Sequence, residues 1–218
     1  MAHPPFVAAE TPALLGAVSG LIARGGVVMW PLLVLSVVAV ALLLERGWFF
    51  LRTNAPGRLG RVETLAKRLR RGDRVGARQL ADADASVYGD TARRLLDEPP
   101  TPAAATDAIE AQRRRLERFL PVLSTIITAA PMLGILGTVL GIIASFQVLG
   151  DQTNTRDPSL VGQGIAEALI TTAAGLVVAL ITLLPYNLIR AQVDRTLSRL
   201  ESLVAAAQTG QPDPADPS

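Results

Sequence analysis

The sequence of 218 residues contains no cysteine and a single histidine, His3. Without thiols there is no disulfide, no thiolate metal site and no cysteine nucleophile. The one histidine sits in the proline-rich start MAHPPF and reads as a solvated terminus, so neither a zinc site nor a histidine-based nucleophilic triad can be assembled. Charge is scarce as well, 18% of residues against 50% hydrophobic, and between residues 119 and 150 there is no Asp, Glu, Lys, Arg or His. No nucleophile with its base and no metal constellation occurs in the apolar segments, which argues against an enzyme and leaves no site for a metal or cofactor. The pI near 9.6 does not point to nucleic acid, because the basic residues are not interleaved with aromatics and sort by segment instead.

What is present in quantity is long apolar runs, with a mean hydropathy of +0.36. A helix crossing roughly 30 Å of hydrocarbon needs about 20 apolar residues at 1.5 Å each, and three segments qualify. Residues 25–44 are uncharged, flanked by Arg24 and by Glu45 and Arg46. With Trp30 near one end and Trp48, Phe49 and Phe50 at the other, a first span over 25–50 is expected. The second is 119–150. The third, 163–189, lies in an apolar stretch beginning at Pro158 and interrupted only by Glu167. The expected fold class is therefore all-α, a polytopic membrane protein with three transmembrane helices.

Between the first two spans, residues 51–118 form the only large hydrophilic block, with fifteen Lys and Arg against ten Asp and Glu. Leu59, Val62, Leu65, Ala66 and Leu69 make one helical stripe broken at Gly72 and Asp73, and a second helix is expected from Ser86 to Glu98 before Pro99 and Pro100. Thr101 with Pro102 reads as an N-cap and first helical residue. The helix they open is expected to run unbroken into the second span. Arg113, Arg114 and Arg115 read as a solvated cluster at the membrane surface, in reach of lipid headgroups. Residues 1–24 are expected to carry a short amphipathic surface helix and to be retained, 151–162 a short polar loop, and 209–218 a disordered tail. Val193, Leu197, Leu200 and Val204 continue the third helix through 190–208. The block and the C-terminal segment with Arg190, Arg195 and Arg199 far outweigh Arg24 and Arg156. Positive-inside therefore places the N-terminus outside and the block and C-terminus in the cytoplasm, with the second and third helices protruding into it.

Within the spans the small and polar residues are patterned. In the second, Ala130, Gly134, Gly137, Thr138, Gly141 and Ser145 recur at offsets of three and four, one narrow face that invites close helix contact. The third carries Gly164, Ala168, Thr171, Thr172, Gly175, Ala179 and Thr182. A lone three-helix protomer is expected to leave these faces partly uncovered, which suggests a homo-oligomer. Glu167 is the one ionisable residue inside an apolar span, about two turns from its outer end. An acid at mid-helix costs about 2.5 to 3.5 kcal/mol and commonly marks an ion path, although one so near an end can also reach water. For Thr138 the plain alternative is a bond to its own helix backbone.

APMLGILGTVLGIIASF in the second span and GIAEALITTAAGLVVALITLLPYN in the third resemble the paired signature segments of the MotA/TolQ/ExbB proton channel family, and the layout of three spans with a large insert after the first resembles the ExbB and TolQ branch. The resemblance covers nearly the whole chain except its first dozen and last ten residues. It implies pore-lining threonines at Thr138 and Thr172, with Glu167 above them. Because five residues carry about 140° round a helix, Glu167 and Thr172 diverge, and Thr171, on the Glu167 face, is expected to share the role, with Ser145 also toward the path. Gly134, Gly137, Gly141 and Gly175 are expected to serve helix packing. The resemblance further implies a pentameric ring in the bacterial inner membrane. Inside it would lie the helices of an ExbD-, TolR- or MotB-like single-span partner, a dimer that carries an intramembrane Asp. Proton flow down the proton motive force would then drive mechanical work at the envelope. The alternative is a non-conducting scaffold subunit.

Overall fold

The computed structural model describes residues 26–97, 101–151 and 158–210, and all regular structure among them is helical. Among the described residues seven helices follow in order: α1 Met29–Thr53, α2 Pro56–Arg70, α3 Arg74–Asp82, α4 Val87–Asp97, α5 Pro102–Leu116, α6 Leu120–Asp151 and α7 Pro158–Thr209. Among them α1, α6 and α7 are long and apolar enough to cross a membrane, and α6 and α7 reach 32 and 52 residues. The surface helix expected in 1–24, the loop residue Arg156 and the tail from 211 onward lie outside the described residues.

The chain divides into two compact units. The first comprises Met1–Ala41 and Val122–Leu184, which takes in the start of α1 and most of the apolar length of α6 and α7. Its interior is small: Met29 and Leu32 are buried with Ala130, against Leu133, Ala174 and Val178. Large aliphatic side chains such as Val37, Ile135, Val139, Leu176 and Leu180 point outward, while alanines and threonines are inside. That distribution is inverted relative to a water-soluble bundle. It is what lipid dictates, since hydrocarbon solvates Leu and Val freely and helices associate where small residues let their backbones approach.

The second unit, Leu42–Pro121 with Pro185–Ser218, has the opposite arrangement. Val62, Leu65 and Leu69 of α2, Ala77 and Ala81 of α3, Tyr88 and Ala92 of α4, Leu116 of α5 and Val193, Leu197, Leu200 and Leu203 of α7 form one buried cluster. The α2 stripe is thus the side that faces the core. Gly72 adopts φ 75, the left-handed conformation that ends α2, and the Asp73 carboxylate accepts the Gly76 N–H at 2.8 Å to open α3. Thr101 Oγ1 accepts the Ala104 N–H at 3.2 Å, with Pro102 as first residue of α5. Asn54 is a polar hub: its amide carbonyl accepts from the Tyr88 hydroxyl at 3.0 Å and Arg199 Nη1 at 3.4 Å, and its Nδ2 donates to Gln192 Oε1 at 3.1 Å and Thr196 Oγ1 at 3.4 Å.

The structure corrects the expectation of an unbroken helix into the second span. α5 stops at Leu116 with Glu117 as C-cap, Phe119 has φ 71, and α6 starts at Leu120. Pro121 favours the break, since it fits a first helical turn, where its missing N–H costs nothing, whereas in a continuous helix its ring would press on the Glu117 carbonyl; Pro131 and Pro185 lie inside α6 and α7 without one, so proline alone does not dictate it. The third helix also begins at Pro158 rather than 163. α3 was not anticipated.

Candidate functional site

The signature segments meet as an antiparallel pair, with α6 against α7. Their register is read from the space around each glycine. A methyl on Gly164 would fall 2.2 Å from Ser145 Oγ, one on Gly141 2.7 Å from Ala168 Cβ, and one on Gly137 2.5 Å from Thr171 Cγ2. Further along, a methyl on Gly134 would lie 3.0 Å from Thr172 Cα, and one on Gly175 2.5 Å from the Ala130 carbonyl oxygen. At five successive levels a glycine therefore admits a close partner, and at Gly175, where the opposing atom is backbone, a side chain would force the helices apart. With no hydrophobic force between helices in lipid, this close contact and its dispersion attraction supply the association.

Each serine and threonine hydroxyl in the signature segments has a defined donor bond. Thr172 Oγ1 crosses the seam to the Gly134 carbonyl at 2.7 Å. Others stay on their own helix: Thr138 donates to Ile135 at 2.6 Å, Ser145 to Gly141 at 2.8 Å and Thr171 to Glu167 at 3.2 Å. Deeper in α7, Thr182 donates to Val178 at 2.7 Å. These bonds satisfy hydroxyls that lie among apolar side chains.

The residues singled out from the sequence separate into two groups. Thr171 and Ser145 are 1% and 5% exposed and are packed against Gly137 and Gly164 of the same chain. The seam of a single protomer already covers both side chains. Thr138, Thr172 and Glu167 lie at the margin of the seam and are half-buried. Gly134, Gly137 and Gly175 are buried in the contact between the two helices, while Gly141, Gly164, Thr138 and Thr172 stay half-buried, so the small-residue faces are covered only in part. Their partnership could not be read from either helix alone. Gly164 and Ala168 prove as intimate to the seam as the glycines of α6. Among the described residues no group of three or more metal-ligating side chains occurs.

Three apolar helices, two of them locked by glycines with threonines and one acid at the margin, define a multi-pass membrane protein. The chain belongs to the MotA/TolQ/ExbB proton channel family, whose model matches residues 89–202. It is 37% identical over 201 residues to a Synechocystis sp. biopolymer transport protein designated ExbB-like 1, covering 87% of this chain and 75% of that protein. It is 29% identical over 184 residues to the biopolymer transport protein exbB1 of Vibrio cholerae, covering 81% and 80% of the two chains. To the Tol-Pal system protein TolQ of Pseudomonas aeruginosa it is 38% identical over 92 residues, covering 42% of this chain and 39% of that one. These likenesses place it on the ExbB and TolQ side of the family.

Proposed function

We propose that this chain is a proton-channel subunit of an inner-membrane complex driven by the proton motive force. Copies of it, five in the reading the family suggests, would enclose the transmembrane helices of an ExbD- or TolR-like partner and couple proton flow to work at the envelope. The N-terminus lies in the periplasm, and the helical unit rich in arginine lies in the cytoplasm. The observation that carries this reading is the placement of Thr138, Thr172 and Glu167, half-buried at the margin of the α6–α7 seam in segments matched by the family model. An ionisable group such as Glu167 within a span is favourable only against another protein segment or water. No acid occurs in α6 before Asp151, nor in α7 between Glu167 and Asp194. Threonine does not ionise at physiological pH, so the mid-membrane proton carrier has to come from the partner.

The test is reconstitution in liposomes with an internal pH dye and an imposed potential. The chain alone is expected to conduct poorly, and the chain with its partner to conduct well. Rapid acidification by the chain alone would refute the dependence on a partner and make Glu167 a self-sufficient relay. The scaffold reading draws on one observation, that the threonine hydroxyls already have backbone partners. Thr138→Val and Thr172→Val separate the two readings: on the channel reading both assemble and fail in proton-driven work, and on the scaffold reading both remain active.

A further inference from the structure

Arg46 is a charged residue of α1 that is only 3% exposed, and a guanidinium so placed has five N–H donors to satisfy. Its Nε and Nη2 form a fork on the neighbouring Glu45 carboxylate, with Nη2 to Oε1 at 2.6 Å. Its Nη1 donates to the Arg115 carbonyl at 3.2 Å. The guanidinium carbon lies 4.8 Å from the Phe49 ring centroid and 5.3 Å from that of Phe119. Two of these contacts concern the break between α5 and α6. Arg115 is in the last turn of α5, and its carbonyl is one that a continued helix would have paired with the Phe119 N–H. Phe119, with φ 71, occupies a backbone region that L-residues with a Cβ avoid. The Arg118 guanidinium covers its ring as well, at 4.6 Å.

We infer that Arg46 is a positioning residue that latches the α5–α6 bend. One cation satisfies the carbonyl that the break orphaned and holds the ring of the residue that makes the break. Pro121 favours a stop here; Arg46 selects the conformation in which the helix stops. Because α6 starts at the next residue, the latch sets where the helix bearing Thr138 begins. This goes beyond the channel reading and stands without it.

The test uses the purified full chain in detergent, with amide exchange over residues 115–122 and tryptic cleavage after Arg118 as readouts. Arg46→Met is expected to raise both rates about tenfold, the order that one strained left-handed residue implies, and to leave exchange over Val87–Asp97 unchanged. The decisive arm is Arg46→Met with Phe119→Gly. Glycine adopts positive φ without strain, so the second change is expected to restore protection, which it would not do if Arg46 merely stabilised the whole unit. Arg46→Met indistinguishable from wild type, or a double variant as labile as the single one, overturns the inference. Should Arg46→Met fail to fold, Arg46→Lys carries the test: it is expected to show a smaller rise, reversed by Phe119→Gly, and wild-type rates for Arg46→Lys overturn the latch.

Discussion

Glycine to alanine at two positions of α7 isolates the seam from every other contribution. At Gly162 a methyl would meet nothing within 4 Å, whereas at Gly175 it would lie 2.5 Å from the Ala130 carbonyl oxygen and 3.2 Å from both Ala130 C and Gly134 Cα. Both substitutions gain the same helix propensity, about 1 kcal/mol. At Gly175 the obstructing atoms are backbone, so no rotamer relieves them and the helices must separate by roughly 0.8 Å to restore an ordinary C···O contact near 3.3 Å. A gap of about 0.5 to 1 Å forfeits a quarter to a half of each dispersion contact, and overpacking of this kind costs about 1 to 3 kcal/mol. The nearby bond from Thr172 to the Gly134 carbonyl, now 2.7 Å, would lengthen with it. The expected net effects diverge: Gly162→Ala stabilises by up to about 1 kcal/mol, and Gly175→Ala destabilises by up to about 2 kcal/mol. For a chain of this size each kcal/mol moves Tm by about 2 to 4 °C, so detergent-solubilised variants melted side by side by circular dichroism should differ clearly. Equal Tm values for the two would refute the glycine seam.

Three further outcomes are expected. Gly89→Ala places a Cβ 1.9 Å from the Asp84 carbonyl oxygen, again backbone, and should cost at least about 1 to 3 kcal/mol in the polar helical unit, measured as a loss of helicity on mild heating. Tyr88→Phe removes the donor to Asn54 and should cost about 1 kcal/mol; a wild-type melting curve would show that the hub is not structural. If the chain assembles as a ring, native mass measurement in detergent will give a multiple of the protomer mass, and a strictly monomeric particle would remove the basis for a shared pore.

The spans were legible because hydropathy acts over long windows, and α2 because its five apolar positions sit at helical spacing. α3 escaped notice because the residues it buries are Gly76, Ala77 and Ala81, too small to form a visible stripe. The bend before α6 had a local signal in Pro121, but the left-handed Phe119 had none, since its conformation is compensated by Arg46 from a distant part of the chain. At the candidate site the residue types were legible and their partnerships were not. Thr171 and Thr172 are adjacent in sequence, yet one is enclosed against Gly137 and the other reaches the Gly134 carbonyl from the margin. Which of two neighbouring threonines is enclosed depends on the register of the opposite helix, which neither segment encodes by itself.

The direction of the threonine bonds has a consequence of its own. A hydroxyl has one proton to give and two lone pairs. Thr172 gives its proton to Gly134 and Thr138 gives its proton to Ile135. Bonded in this way, each oxygen is a one-way group, able to receive a hydrogen bond but with none to return. A carboxylic acid brought alongside finds an acceptor for its proton, whereas a carboxylate finds oxygen facing oxygen. On the channel reading, such a surface would favour the neutral form of a partner's acid over its ionised form, without any group on this surface changing charge.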